Sequence, residues 1–177
     1  NVINNGKLNL DGKNSVGVYV ENNDTTGTTH SVAATNDTNG VITMSGESGI
    51  AMATKLGELV NKGKINITAD KGTGMFAETD GTRTANIIND TTGEISIGNS
   101  TSESVLRTGM FTKEQKVKLI NRGKINAGNN SYAIYGKNVE LAPTSEINVG
   151  DNGVGIFTTS TTPATNNIDI QAGAKFN

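Results

Sequence analysis

One column of side chains in this sequence has the chemistry to hold a ligand. Tyr19, Phe76, Phe111, Tyr135 and Phe157 each follow an aliphatic residue that itself follows a small one: Gly17-Val18-Tyr19, Gly74-Met75-Phe76, Gly109-Met110-Phe111, Ala133-Ile134-Tyr135 and Gly155-Ile156-Phe157. Gly49-Ile50-Ala51 reads as the same unit with Ala51 in place of the ring. If the aliphatic residues face a core, the two-residue period of a strand turns the rings outward. A row of rings can stack on glycans or on a protein partner. The competing reading is a strand corner, or burial beneath the following loops, and it is preferred because a bare stripe of this size invites aggregation. Near-complete burial of Phe111 and Tyr135 would remove the stripe.

The residues that could do covalent chemistry are sparser. His30 is the lone histidine, so neither a His-based triad nor a multi-His zinc site can be assembled. There is no cysteine, which excludes disulfides and thiolate chemistry. Glu78, Asp80 and Arg83 share one polar segment, with Asp70 and Asp90 in adjacent ones. A glycan-active enzyme of the β-helix lyase kind would need such acids to converge on a cleft, and solvation is the simpler reading of charges in polar loops. The Gly-Gly-x-Gly-x-Asp nonapeptide of calcium β-rolls is missing. Asp11-Gly12-Lys13-Asn14 and Gly150-Asp151-Asn152-Gly153 read as turns instead. No catalytic residue, metal site or cofactor is therefore expected, and the chain is read as not an enzyme.

The elements that must carry the aromatic column are repeats. Gly6-Lys7-Leu8-Asn9-Leu10 returns as Gly40-Val41-Ile42-Thr43-Met44, Gly63-Lys64-Ile65-Asn66-Ile67, Gly93-Glu94-Ile95-Ser96-Ile97, Gly123-Lys124-Ile125-Asn126-Ala127 and, with Ser for Gly, Ser145-Glu146-Ile147-Asn148-Val149. The copies start 34, 23, 30, 30 and 22 residues apart, a period that signals a solenoid. Within each copy Ile, Leu and Val alternate with Asn, Thr and Ser, the signature of a half-buried strand. Lys64, Glu94, Lys124 and Glu146 fall on neighbouring rungs in alternating sign. The aromatic unit supplies a second strand. A third precedes the next copy, as in Leu59-Val60, Ile87-Ile88 and Val117-x-Leu119-Ile120. Three short strands per repeat predict an all-β, right-handed, three-sided parallel β-helix of about six rungs, the hand following the crossover rule. Residues 1–177 form a single segment, whose open ends are expected to be cut from a longer solenoid. Asn4, Asn61, Asn89 and Asn121 recur after the third strand, where Asn suits a left-handed turn or a ladder of stacked amides. Inserts at 21–31, 78–85, 98–107 and 158–165 lengthen particular rungs and belong to surface loops, with 21–31 and 98–107 expected to matter most for specificity.

Composition limits the partners. Net charge is −2, with no basic patch, so nucleic acid is not expected. No apolar run approaches a membrane span.

The stretches Asn61-Lys62-Gly63-Lys64-Ile65-Asn66-Ile67 and Asn121-Arg122-Gly123-Lys124-Ile125-Asn126, followed by Gly-Ile-Phe/Tyr units, resemble passenger domains of large bacterial type V autotransporters, in particular big fusobacterial adhesins of the RadD type. The resemblance covers nearly the whole chain except the polar inserts. It implies an extracellular passenger, tethered to an outer-membrane β-barrel not present in this chain, with a role in adhesion and virulence. The implied partner is a host or bacterial surface protein or glycan. The functional expectation is thus a cell-surface adhesin segment, a β-helical stalk presenting polar loops. A purely structural spacer, or a polysaccharide lyase-like enzyme, stands as the alternative.

Overall fold

The computed structural model describes residues 1–24, 32–159 and 166–177. Twenty short strands among these residues form three parallel sheets, which are the walls of a three-sided parallel β-helix. Wall A stacks Val2–Asn4, Ala33–Asn36, Glu58–Asn61, Ala85–Asn89, Val117–Asn121, Asn138–Leu141 and Asn167–Ile170. Wall B stacks the Gly-x-Ile-x-Ile strands, from Lys7–Leu10 through Lys64–Ile67 and Glu94–Ile97 to Lys175–Phe176. Wall C stacks Val16–Glu21, Ile50–Lys55, Thr73–Glu78, Thr108–Phe111, Tyr132–Tyr135 and Val154–Phe157. The strand at Lys175–Phe176 continues wall B beyond the six copies read from the sequence.

The core follows from the alternation. Wall B sends in Ile42, Met44, Ile65, Ile67, Ile95 and Ile125, and wall A sends in Leu59, Ile87, Leu119 and Val139, all fully buried. Wall C contributes Met52, Met75, Met110 and Ile134 in one in-register column, where unbranched methionines fill the space at the centre of the prism. Each such side chain stabilises the fold by roughly 1.5–3 kcal/mol relative to exposure. The alternating charges also stand in register, and Lys64 pairs with Glu94 at 3.7 Å and Lys124 with Glu146 at 3.2 Å.

Two corners explain the residue choices. At the A-to-B corner the chain passes so close to the rung below that a Cβ on Gly63 would sit 2.2 Å from the Gly40 carbonyl oxygen, which only Gly avoids. At the B-to-C corner one residue takes positive φ, and Asn14, Asn130 and Asn152 fill that place in three rungs. Asn4, Asn61, Asn89 and Asn121 do not play this part. They close the strands of wall A and point inward, so their role is the amide ladder and not a left-handed turn. Asn36, absent from the sequence-derived set, is a fifth member. Each donates from Nδ2 to the next Oδ1: Asn4 to Asn36 (2.8 Å), Asn36 to Asn61 (2.8 Å), Asn61 to Asn89 (2.9 Å) and Asn89 to Asn121 (2.8 Å). The series ends where Leu141 takes the next position.

Candidate functional site

Wall C turns its rings outward. At the small residue the strand bends, so two successive side-chain positions face the core; a Cβ on Gly74 would lie 3.0 Å from Ile67 Cδ1, and Met75 is fully buried. The aromatic residue that follows is then aimed at solvent. Phe76, Phe111, Tyr135 and Phe157 are in register on consecutive rungs. Their ring centroids are 5.5, 5.0 and 4.8 Å apart in that order. Phe76 and Phe111 stack nearly parallel, whereas Tyr135 stands edge-on to both Phe111 and Phe157. All four are half-buried, each shielded by its neighbours along the column and open on its outer side. Burial beneath the loops, the preferred sequence reading, does not occur for Phe111 or Tyr135. Among the described residues, the 98–107 insert places Leu106 beside Phe111, Tyr132 and Tyr135.

The column differs from the sequence reading in two places. Its gap is Ala53, not Ala51: Ala53 pairs with Tyr19 and Phe76, and Met52 with Val18 and Met75. Ala51 occupies the small-residue position, as Ala133 does, while Gly49 belongs to the preceding turn through its N–H to the Gly46 carbonyl (3.2 Å). The sequence contains two small-apolar pairs here, Gly49-Ile50 and Ala51-Met52, and only the pairing between rungs selects the second. Tyr19 lies beyond this gap, 54% exposed, with its hydroxyl on Glu21 (3.0 Å). The second difference is Tyr132, three residues before Tyr135, which stacks on Phe157 at 5.1 Å and was not signalled because it precedes the repeat unit.

Phe111, Tyr132 and Tyr135, with Thr73, Leu106, Thr108 and Lys113, line a groove of about 300 Å³. A second hollow of about 210 Å³ continues it past Phe111, bordered by Phe76, Ala77, Glu78, Lys113 and Glu114. Leu106 comes from the 98–107 insert, which folds back onto the prism. Arg107, only 9% exposed, holds Asp70 at 2.9 Å, and the Arg107 N–H donates to Ser100 Oγ at 3.1 Å. That insert therefore forms one fixed bank of the groove. Most of the 21–31 insert, with His30, and the greater part of 158–165 lie outside the described residues.

The acidic residues do not converge. Asp90 sits at an A-to-B corner near Arg122 (3.7 Å), Asp70 at a B-to-C corner with Arg107, and Glu78 and Asp80 at a C-to-A corner. Asp80 bonds Arg83 Nε at 2.8 Å. Backbone and side-chain hydrogen bonds from Arg83, then the Thr82 N–H, hold its carboxyl far below the usual range. It is thus an ionised cap for its own loop and a poor proton donor. These acids stand at three different corners of the prism and do not converge on one cleft.

A family model described as the BigA third pectate lyase-like domain matches residues 1–142. Neither a curated protein nor a solved structure matches the chain.

Proposed function

This chain belongs to the family of the BigA third pectate lyase-like domain, a β-helix domain of a bacterial surface protein, and we propose that it is a non-catalytic adhesive segment that holds a surface glycan along the aromatic groove of wall C. In this reading it is the outer part of a passenger anchored by an outer-membrane β-barrel. The observation that carries the reading is the row of half-exposed rings from Phe76 to Phe157, in register and in mutual contact on the outer face of wall C. Monosaccharide rings have an apolar C–H face that packs on aromatic rings, and hydroxyls that suit Thr73 and Thr108 on the groove wall. The scatter of the acids over three corners, with Asp70, Asp80 and Asp90 each held by an arginine, favours adsorption over bond cleavage.

The test is adhesion of the labelled protein to target cells, with Phe111→Ser/Tyr135→Ser compared with the natural sequence. Each lost ring contact is worth about 0.5–1.5 kcal/mol, so together they should weaken binding by roughly tenfold or more. Undiminished binding would leave wall C as a spacer surface. Release of unsaturated uronides from acidic polysaccharides, followed by absorbance, would overturn the non-catalytic assignment.

A further inference from the structure

Around the C-to-A corner from the aromatic groove, wall A carries a hollow of about 530 Å³, within the size range of small-ligand sites. Thr84, Asn86, Gln115, Lys116, Lys118 and Asn138 line it. Its chemistry is unlike the groove's: hydroxyl, amides and ammonium groups, with no ring. Asn86, Lys118 and Asn138 stand on consecutive rungs of wall A, so their spacing is fixed by the sheet. Lys118 is already committed to Glu140 at 2.6 Å. Lys116 is exposed and enters no ion pair with the described residues, which leaves one uncommitted positive charge in the hollow. Asn86 Nδ2 donates to Glu58 Oε2 at 3.4 Å, which leaves Asn86 Oδ1 to accept from a ligand, and Glu78 and Glu114 border the Phe76 hollow on the other side of the 112–116 ridge.

We infer that this hollow is a second subsite, which takes an acidic sugar residue of a glycan whose neighbouring residues cross the 112–116 ridge into the aromatic groove. Lys116 binds the carboxylate or sulfate, Asn86 and Asn138 bind ring hydroxyls, and the rings of wall C hold the apolar faces of the adjoining sugars. The inference rests on the glycan-binding reading of wall C and adds to it the sign of the ligand's charge. A carboxylate oxygen on an ammonium group forms a charge-assisted hydrogen bond, about twice as strong as a neutral one.

The experiment uses hyaluronan, chondroitin and heparosan oligosaccharides, each beside its carboxyl-reduced neutral counterpart, titrated onto the protein by biolayer interferometry. At least one acidic member is expected to bind roughly tenfold more tightly than its reduced form. Lys116→Gln should abolish that difference, and leave the neutral form's affinity and the melting temperature unchanged. Equal binding of acidic and reduced forms, or a preference for acid that survives Lys116→Gln, overturns the subsite. Failure of every acidic oligosaccharide to bind also overturns it. Stripe-dependent adhesion to cells would then still stand, whereas loss of the adhesive reading itself would appear as undiminished cell binding by Phe111→Ser/Tyr135→Ser.

Discussion

Asn89 is the position where the cost of a single change can be worked out most fully. It is fully buried; its Oδ1 accepts from Asn61 Nδ2 at 2.9 Å, and its Nδ2 donates to Asn121 Oδ1 at 2.8 Å and to the Lys124 carbonyl at 3.1 Å. Asn89→Ala removes all three bonds and strands polar atoms above and below. Asn61 Nδ2 keeps only a 3.4 Å contact to the Glu94 carbonyl, and Asn121 Oδ1 loses its donor. Leaving a buried polar group unsatisfied costs about 1–3 kcal/mol, so two such groups predict a loss near 4 kcal/mol. Asn121→Leu is the control. It lies at the end of the ladder beside Leu141, and its loss strands only Asn89 Nδ2, which keeps the Lys124 carbonyl. Its expected cost is about half as large. Urea denaturation followed by far-ultraviolet circular dichroism measures both. A loss below about 1 kcal/mol at Asn89, or equal losses at Asn89 and Asn121, would refute the claim that the amides act as a connected, buried series.

Three further outcomes follow from the same structure. Arg107→Met should free the 98–107 insert by breaking the Asp70 contact, seen as faster proteolysis within that segment and weaker ligand binding through displacement of Leu106. Phe111→Ser/Tyr135→Ser should lower stability by no more than about 1–3 kcal/mol, since the rings pack outside the core, so that a loss of adhesion can be read as a loss of contact. Stability should fall in acid: the carboxyls of Glu21 (hydrogen-bonded by Lys55, then Tyr19), Glu47 (by Lys13) and Glu146 (by Asn148, then Lys124) are held below their ordinary range in the folded state. Their contribution is complete above the ordinary carboxylate range and is lost as pH drops through the depressed values. These groups are on the surface, so the melting temperature should change little from neutral pH to about pH 5 and decline gently below it.

The stacking of the chain was legible because its signal is local and repeated. Gly63-Lys64-Ile65-Asn66-Ile67 states its strand, its inward face and the glycine of its corner in five residues, and five other copies repeat it with small changes. The amide ladder was legible only in part. Asn61, Asn89 and Asn121 each follow an aliphatic residue that marks the strand, but Asn36 closes Ala33-Ala34-Thr35, which carries no Ile, Leu or Val, and that hides it. The loop-borne acids gave a misleading hint. Asp70, Asp80 and Asp90 are evenly spaced along the chain, yet each falls on a different corner of the prism.

By itself the sequence determined the period, the strands and the sidedness of each, because burial of alternate Ile and Leu is decided within a few residues. Tertiary structure decided which residues meet between rungs: that Ala53 and not Ala51 interrupts the rings, that Tyr132 joins Phe157, and that Lys116 and Asn138 share a hollow. Those meetings depend on how far each insert shifts one coil against the next. That shift is settled by the hydrogen bonds between stacked strands, which no single repeat contains.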